Sequence, residues 1–333
     1  MTAPLLKLEN LTTEFTVDGG IVPAVNGASY EVMPGETLGV VGESGSGKSV
    51  AIASALGLLP SNGRVVDGHA WFDGRDLVTM SDRERNQILG KEIGLVFQDP
   101  MTALNPVMRV GDQISESLLR HDRSLGRRAA AARVVELLAE VGIPSPEQRA
   151  RRYPHEFSGG MRQRAMIAMA IANRPRLIIA DEPTTALDVT IQAQILDLLR
   201  KVQRENDAAL VMITHDLGVI AELAQRVVVM YGGRVVESAE VDTLFHGSRH
   251  PYTRGLLDSL PRLGSRQHEL LAIGGHPPDP RALPSGCPFE PRCPVGRGRD
   301  VCRDTRPELQ PVGHAHASAC HFTEELATTE GDQ

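Results

Sequence analysis

Hydrophobic and polar positions alternate along the first forty residues, a pattern typical of half-buried β-strands. The alternation is clearest at Leu6-x-Leu8, Phe15-x-Val17 and Tyr30-x-Val32. Asp18-Gly19-Gly20 supplies a hairpin-type turn after the second of these segments. We therefore predict short antiparallel strands in this part of the chain.

Four later segments are apolar runs, at 38–41, 93–97, 177–180 and 210–214. Short apolar runs of this kind predict further strands. The run 177–180 is typical of a strand that is buried on both faces of a parallel sheet.

Helical patterns lie between these strands. The segments 49–59 and about 189–204 each predict one helix, and about 99–165 predicts a helical subdomain. Beyond about residue 240, Pro and Gly become frequent and the periodicity weakens. The alternation of strands and helices predicts an α/β fold. We expect one large domain at 1–240 and a loop-rich C-terminal extension at 241–333.

Composition limits the classes of function. The 333 residues are 41% hydrophobic and carry a formal net charge of −7, which argues against a general nucleic-acid binder. No apolar run approaches the roughly 20 residues that span a membrane, and the first residues lack the pattern of a signal peptide. We therefore expect a cytosolic protein whose membrane role comes through a partner.

A glycine-rich segment follows the apolar run 38–41 and precedes a predicted helix. It matches G-x-x-x-x-G-K-[ST], the phosphate-loop pattern, in the strand–loop–helix context that the pattern needs. Its residues are Gly42, Glu43, Ser44, Gly45, Ser46, Gly47, Lys48 and Ser49. In such loops backbone N–H groups wrap nucleotide phosphates, a lysine reaches the β- and γ-phosphates and a hydroxyl holds Mg²⁺. We predict an ATP site here; the alternative is an ordinary Gly/Ser-rich turn.

Two carboxylates and a histidine follow later strands. Asp181 and Glu182 come directly after 177–180, and His215 follows 210–214. A carboxylate at a strand end can hold Mg²⁺ while its neighbour polarises an attacking water, and the histidine can contact the γ-phosphate. The alternative is that the acidic pair caps the next helix and that the histidine is structural.

A second helix start suited to anions lies far from the phosphate loop in sequence. Ser158, Gly159 and Gly160 precede a long helix-like run, and unpaired N–H groups at such a start favour negative charge. Two phosphate-binding helix starts in one chain suggest a nucleotide sandwiched between two copies.

Together these motifs resemble the nucleotide-binding subunit of an ABC transporter, over essentially the whole chain. The resemblance assigns roles in chain order: Gly42 to Ser49 as the Walker A loop, Gln98 as the Q-loop glutamine, Ser158 to Gly160 as the heart of the signature motif, Asp181 as the Walker B magnesium ligand, Glu182 as the catalytic base, Ala186-Leu187-Asp188 as the D-loop and His215 as the switch histidine. It implies a catalytic group of Lys48, Gln98, Glu182 and His215. Mg²⁺ would be held by Ser49, Gln98 and Asp181.

Two positions depart from the common L-S-G-G-Q signature, since Phe157 replaces Leu and Met161 replaces Gln. The serine and both glycines are kept, so phosphate contact is expected to survive. For the adenine-stacking aromatic of the family, Phe15 is the nearest candidate.

Three stretches, at 96–106, 153–164 and 250–253, resemble the dipeptide/oligopeptide importer branch. The S-G-G-M signature resembles the first of two ATPase subunits there, which implies a heterodimer. The resemblance also implies two transmembrane permease subunits docked after Gln98, an extracytoplasmic solute-binding protein, and a peripheral position on the cytoplasmic face of the cell membrane. The expected function is ATP hydrolysis that energises uptake of di- or oligopeptides. The alternatives are nickel or another small solute as cargo, a soluble non-transport ABC ATPase, and a metal-centred regulatory protein.

All four cysteines lie in the extension, spaced C-x5-C-x8-C-x17-C: Cys287, Cys293, Cys302 and Cys320. In a reducing compartment this clustering points away from disulfides. Four thiolates in a loop-rich segment can ligate an iron–sulfur cluster or a tetrahedral zinc ion. The resemblance to the C-terminal region of peptide-importer ATPases favours a [4Fe–4S] cluster, with zinc and metal-free buried thiols as alternatives.

Overall fold

The computed structural model describes residues 3–185, 187–260 and 273–328. Within these ranges the strands are β1 (Leu6–Val17), β2 (Gly20–Val32), β3 (Thr37–Val41), β4 (Gly63–Phe72), β5 (Arg75–Asp76), β6 (Ile93–Val96), β7 (Leu177–Asp181), β8 (Ala209–Thr214), β9 (Arg226–Tyr231), β10 (Arg234–Glu240), β11 (Gln310–Gly313) and β12 (His316–Ser318). The α-helices in the same ranges are α1 (Lys48–Ala55), α2 (Asp82–Ile88), α3 (Pro100–Ala103), α4 (Val110–His121), α5 (Arg127–Glu140), α6 (Pro146–Arg149), α7 (Gly159–Ile171), α8 (Val189–Glu205), α9 (Leu217–Leu223), α10 (Val241–Gly247), α11 (Pro251–Asp258), α12 (Asp300–Asp304) and α13 (Thr323–Thr328).

The strands nearest the N-terminus form an antiparallel sheet, ordered β2-β1-β4-β5 among the described residues. β1 and β2 pair from Leu6 opposite Val32 to Val17 opposite Gly20. The sequence pattern predicted several short strands here instead of two long ones. Shifts in register, such as the one between Leu8 and Leu11, interrupt the regular alternation along each strand.

The second sheet has the order β11-β12-β10-β9-β3-β8-β7-β6 in the part of the chain that is described. From β9 to β6 the neighbouring strands are parallel. β3 is buried along its whole length, between β8 on one side and β9 on the other. Strands β10, β12 and β11 continue the sheet in antiparallel fashion. The predicted α/β fold is confirmed.

Two clusters of buried side chains cover the two faces of this second sheet. On one face Leu38 of β3 packs with Ile52 of α1 and with Leu6 of the antiparallel sheet. On the other face Met212 of β8 belongs to a cluster with Leu138 of α5 and with residues of α4, α7 and α8. Burying one such side chain contributes about 1.5–3 kcal/mol, so both faces fix the strands that carry the site.

Helices α3 to α7 lie between β6 and β7, where the sequence predicts a helical subdomain at about 99–165. α5 buries Val134, Leu137 and Leu138. None of the helices in the described residues is long and apolar enough to cross a membrane.

The extension is more regular near the core than its composition predicted. α10 and α11 follow β10 directly, and β12 pairs with β10. Glu237 of β10 and His316 of β12 are both buried and form a hydrogen bond of 2.8 Å. Pro251 occupies the first turn of α11, where its missing N–H is not needed. The division at residue 240 stays a prediction, because the parts before and after it share one sheet.

The buried side chain of His250, in the extension, makes the stability of the protein depend on pH. It caps α11, its Nδ1 accepts a hydrogen bond from the backbone N–H of Tyr252 at 3.1 Å, and the residue is 2% exposed. Burial lowers the pKa of His250 to about 4, against about 6.5 in an unfolded chain. Between these values the unfolded chain binds the extra proton, so stability falls as pH falls.

We expect the variant His250→Asn to lose less stability on acidification than the natural protein. Asparagine keeps an oxygen acceptor at the cap but does not titrate. Between pH 7 and pH 5 the difference should reach about 2 kcal/mol of unfolding free energy, measured by urea denaturation at both values. Equal losses in the two proteins would contradict this prediction.

Candidate functional site

The carboxyl ends of β3, β6, β7 and β8 lie at one edge of the second sheet, because these strands are parallel neighbours. Ligands of α/β proteins bind at such an edge. A cleft of about 830 Å³ opens there. It is lined by Gly42 to Val50, Gln98, Glu182, His215, Leu256, Ser259, Ile273 and Pro277.

The phosphate loop connects β3 to α1 and needs glycine for steric reasons. A Cβ on Gly42 would lie 2.2 Å from the Met230 carbonyl oxygen, and one on Gly47 would lie 2.7 Å from that of Ala24. The Lys48 ammonium lies inside the loop, where it donates to the carbonyls of Gly42 at 2.7 Å and Glu43 at 3.0 Å. Burial lowers the pKa of Lys48, while nearby carboxylates oppose this shift.

Ser49 and Asp181 come together although 132 positions separate them. The Ser49 hydroxyl donates to Asp181 Oδ1 at 2.8 Å. Burial raises the pKa of the Asp181 carboxyl, and the hydrogen bond from Ser49 partly offsets this. Hydroxyl and carboxylate oxygens are the ligands that Mg²⁺ prefers, so this pair fits the metal predicted from the sequence.

Glu182 is held from three directions. Its Oε2 accepts hydrogen bonds from Gln98 Nε2 and Thr185 Oγ1, both at 2.9 Å, and its Oε1 lies 3.5 Å from His215 Nδ1. Its backbone has φ +46°, an unusual conformation for a non-glycine residue. The backbone N–H of Glu182 bonds to the Ile213 carbonyl at 2.8 Å, which fixes this conformation.

Thr185 was not predicted from the sequence. The local signal was a hydroxyl three residues after a carboxylate in a turn. This pattern is too common to identify a functional residue by itself. The neighbouring D-loop prediction, Ala186-Leu187-Asp188, is partly outside the described residues because Ala186 is not among them. Asp188 caps α8 by accepting from the Ile191 N–H at 3.0 Å.

The signature residues lie elsewhere. Ser158 caps α7 and accepts from the Met161 N–H at 3.4 Å. Ser158 and Gly159 are exposed, and Gly160 packs toward Ile191 of α8. Within the described residues, the lining of the cleft includes the Walker A loop, Gln98, Glu182 and His215 but none of Ser158 to Gly160.

Phe15, the candidate for adenine stacking, is also outside this lining. Its ring packs so closely on Gly63 that a Cβ there would lie 2.7 Å from Phe15 Cε1. Part of the cleft wall comes instead from the extension, through Leu256, Ser259, Ile273 and Pro277. That contribution was not predicted from the sequence.

The four cysteine thiols are grouped and none forms a disulfide. Cys287, Cys293 and Cys302 are buried, and a Cβ on Gly296 would lie within 3.4 Å of both Cys293 Sγ and Cys302 Sγ. Burial and mutual repulsion raise the pKa of Cys287 to about 11 and that of Cys320 to about 12. Among the described residues, however, no group of three or more His, Cys, Asp or Glu has the arrangement of a site for one metal ion.

Two family profiles match the chain in succession. The family described as ABC transporter matches residues 25–185, and the family described as oligopeptide/dipeptide transporter, C-terminal region, matches residues 236–302. The dipeptide transport ATP-binding protein DppD of Bacillus subtilis (strain 168) is 52% identical over 97% of this chain and 96% of its own length. The chain belongs to the ABC transporter family.

Other members of this ABC transporter family agree with that assignment. The oligopeptide transport ATP-binding protein OppD of Salmonella typhimurium is 48% identical over 95% of this chain and 93% of its own length. The dimeric ATP-binding cassette MJ0796, in a post-hydrolysis state bound to ADP and Pi, has a TM-score of 0.64 at 28% identity, over 71% of this chain and 98% of its own. The chain is therefore an ATP-binding and ATP-hydrolysing protein.

We expect Thr185→Val to lower kcat for ATP hydrolysis about three- to tenfold, because a hydrogen bond that orients the Glu182 carboxylate is lost. The KM for ATP should change little, since Thr185 is outside the phosphate loop. Steady-state ATPase kinetics measure both constants. Thr184→Val is the matched control, because the Thr184 hydroxyl makes no hydrogen bond to Glu182 in the described structure. Equal effects of the two substitutions would rule out a specific role for Thr185.

Proposed function

We propose that this chain is the ATP-hydrolysing subunit of a binding-protein-dependent importer that takes up di- or oligopeptides. One arrangement carries the proposal: the phosphate loop, Gln98, Glu182 and His215 line one cleft, in a chain whose extension matches the oligopeptide/dipeptide transporter family. Relatives named for dipeptide and oligopeptide transport support this class of cargo. The chain would act as a peripheral subunit on the cytoplasmic face of the membrane.

In this proposal Glu182 orients and deprotonates the water that attacks the γ-phosphate. Gln98 and Thr185 fix its carboxylate, which supports this role. Lys48 and His215 stabilise the negative charge that develops on the phosphate oxygens. Mg²⁺ would be held by Ser49, Asp181 and the amide oxygen of Gln98, and it would supply further charge neutralisation.

A second ATPase subunit would complete the site. Ser158 and Gly159 stand exposed at the start of α7, away from the cleft of their own chain. A helix start in this position suits the nucleotide of an opposing cassette, and the opposing cassette would supply the same motif in return. Because Phe157 and Met161 depart from the common signature, we propose a heterodimer with a paralogous subunit.

The segment after Gln98 is the proposed contact with the two transmembrane permease subunits. Phe97, just before this segment, and Met101 and Val107 within it are 49%, 59% and 80% exposed. Large apolar side chains exposed near one another in the chain are typical of an interaction site. The segment begins at Gln98, which contacts Glu182. Movement at the γ-phosphate could thus reach the permeases and, through them, the extracytoplasmic solute-binding protein.

For the extension we propose that the four thiols hold a [4Fe–4S] cluster with a structural role. Cys287, Cys293 and Cys302 are buried, and a Cβ on Gly296 would lie within 3.4 Å of the sulfurs of Cys293 and Cys302. The other three thiols contribute to the raised pKa of Cys320. Four cysteine thiolates are the usual ligands of a [4Fe–4S] cluster, and the extension supplies four free cysteines.

We expect Glu182→Gln to bind ATP normally but to hydrolyse it at least about a hundredfold more slowly, because the amide cannot accept the proton of the attacking water. Hydrolysis by the assembled transporter and uptake of a labelled dipeptide should fall together. Glu205→Gln is the matched control, since Glu205 is a surface residue paired with Lys201 at 3.9 Å. Undiminished ATP turnover would contradict the catalytic role of Glu182. Uptake of nickel and not of the dipeptide would contradict the proposed cargo.

Anaerobic purification of the full chain should yield about four irons and four sulfides per chain. Iron, sulfide and zinc analysis together with the visible absorption spectrum provides the measurement. Cys302→Ser should lose the absorption, because it removes one buried ligand. One zinc per chain would favour the alternative metal, and a metal-free chain with full activity would exclude a metal centre.

A further inference from the structure

Glu43, the second residue of the phosphate loop, joins the loop to the C-terminal extension. Its backbone N–H donates to the Tyr252 hydroxyl at 2.7 Å. Its carboxylate accepts two hydrogen bonds from Arg292, from Nη1 at 2.7 Å and from Nη2 at 3.0 Å. These three residues come from widely separated parts of the chain, since Arg292 lies 249 positions after Glu43.

All three nitrogens of the Arg292 guanidinium donate hydrogen bonds. Its Nε donates to the Gly274 carbonyl at 2.9 Å, Nη1 also donates to the Tyr231 hydroxyl at 3.2 Å, and Nη2 also donates to the Ile273 carbonyl at 3.3 Å. Its side chain is 5% exposed. A planar, bidentate pair of this kind, with its arginine side chain buried, depends on the fork of arginine, which lysine does not reproduce.

Aromatic side chains support this pair. Tyr231 and Tyr252 have ring centroids 4.5 Å apart, and Phe289 lies 5.2 Å from Tyr231 and 5.4 Å from Tyr252. The guanidinium lies 5.8 Å from the Tyr231 ring centroid and 5.9 Å from that of Phe289. Since these rings are packed together, Arg292 has little freedom to move away from Glu43.

The same residue, Glu43, also contacts the phosphate-binding lysine. Its carbonyl accepts from Lys48 Nζ at 3.0 Å. A shift of Glu43 would therefore move a carbonyl that places Lys48, and with it the loop N–H groups that face the phosphates. Glu43 thus lies between Lys48 and Arg292 and forms hydrogen bonds with both.

We propose that Arg292 is a positioning residue for ATP: by clamping Glu43, the extension holds the phosphate loop in its nucleotide-binding conformation. The proposal rests on the cleft being the ATP site. It adds a group outside the ABC motifs that acts on nucleotide affinity. Arg292 acts through Glu43 and donates no hydrogen bond to the nucleotide in this proposal.

The test measures the binding of MgATP and the kinetics of its hydrolysis by the full chain carrying Arg292→Gln. We expect the Kd and the KM for ATP to rise about tenfold or more, as for loss of a charged hydrogen-bond pair, while kcat at saturating ATP stays within about threefold. Arg292→Lys should recover little of the affinity, because it restores the charge but not the fork. Arg299→Gln is the matched control, since Arg299 pairs with Glu325 at 3.0 Å in the same extension.

A second variant keeps the test decisive if Arg292→Gln does not fold. Glu43→Gln breaks the same pair from the loop side and leaves the interior of the extension intact, and it should raise the Kd for MgATP by a similar factor. In the double variant the two effects should not multiply. Wild-type affinity in Glu43→Gln, multiplying effects, or an equal loss in Arg299→Gln would overturn the clamp. A natural chain that binds no ATP would instead overturn the proposed function.

Discussion

The position of β3 between β8 and β9 is the constraint on which the rest of the molecule depends. Parallel hydrogen bonding in both directions sets Val41 opposite Thr214 and Val229. The residues that follow Val41 and Thr214 are the first glycine of the phosphate loop and His215. A shift of one residue in this register would turn every side chain of the strand to the opposite face, and burial on both faces prevents such a shift. The chemistry of the site therefore depends on sheet packing more than on the loop alone.

Much of the site could be predicted from sequence because its parts follow strands. A phosphate loop is a local motif, and its glycines are required by contacts within a few ångströms, as at Gly42. Asp181 and His215 were placed by the apolar runs before them, since parallel strands end at a common edge. Thr185 and Arg292 were missed for different reasons. A threonine in a turn has many possible roles, and the partner of Arg292 lies 249 positions away, beyond any local pattern.

The fold could be predicted in outline but not at its margins. Frequent Pro and Gly after residue 240 predicted a loop-rich extension. In the structure, however, β12 pairs with β10 and adds the extension to the sheet. Pairing between distant segments leaves a weak trace in one sequence, because β12 is three residues long. In β1 and β2, register shifts interrupt the alternation of hydrophobic and polar residues, so the sequence predicted several short strands in place of two long ones. These differences arise where tertiary contacts override local propensity.

The link between Glu43 and Arg292 limits which segments of such proteins can be recombined. A cassette and an extension that were inherited from different ancestors would meet across this pair. Loss of the carboxylate at position 43 would leave the buried Arg292 guanidinium without its counterpart. The cassette and the extension should therefore be inherited together when genes recombine. An engineer who builds chimaeras from this chain should move residues 43 and 292 as one unit, together with the tyrosines that surround them.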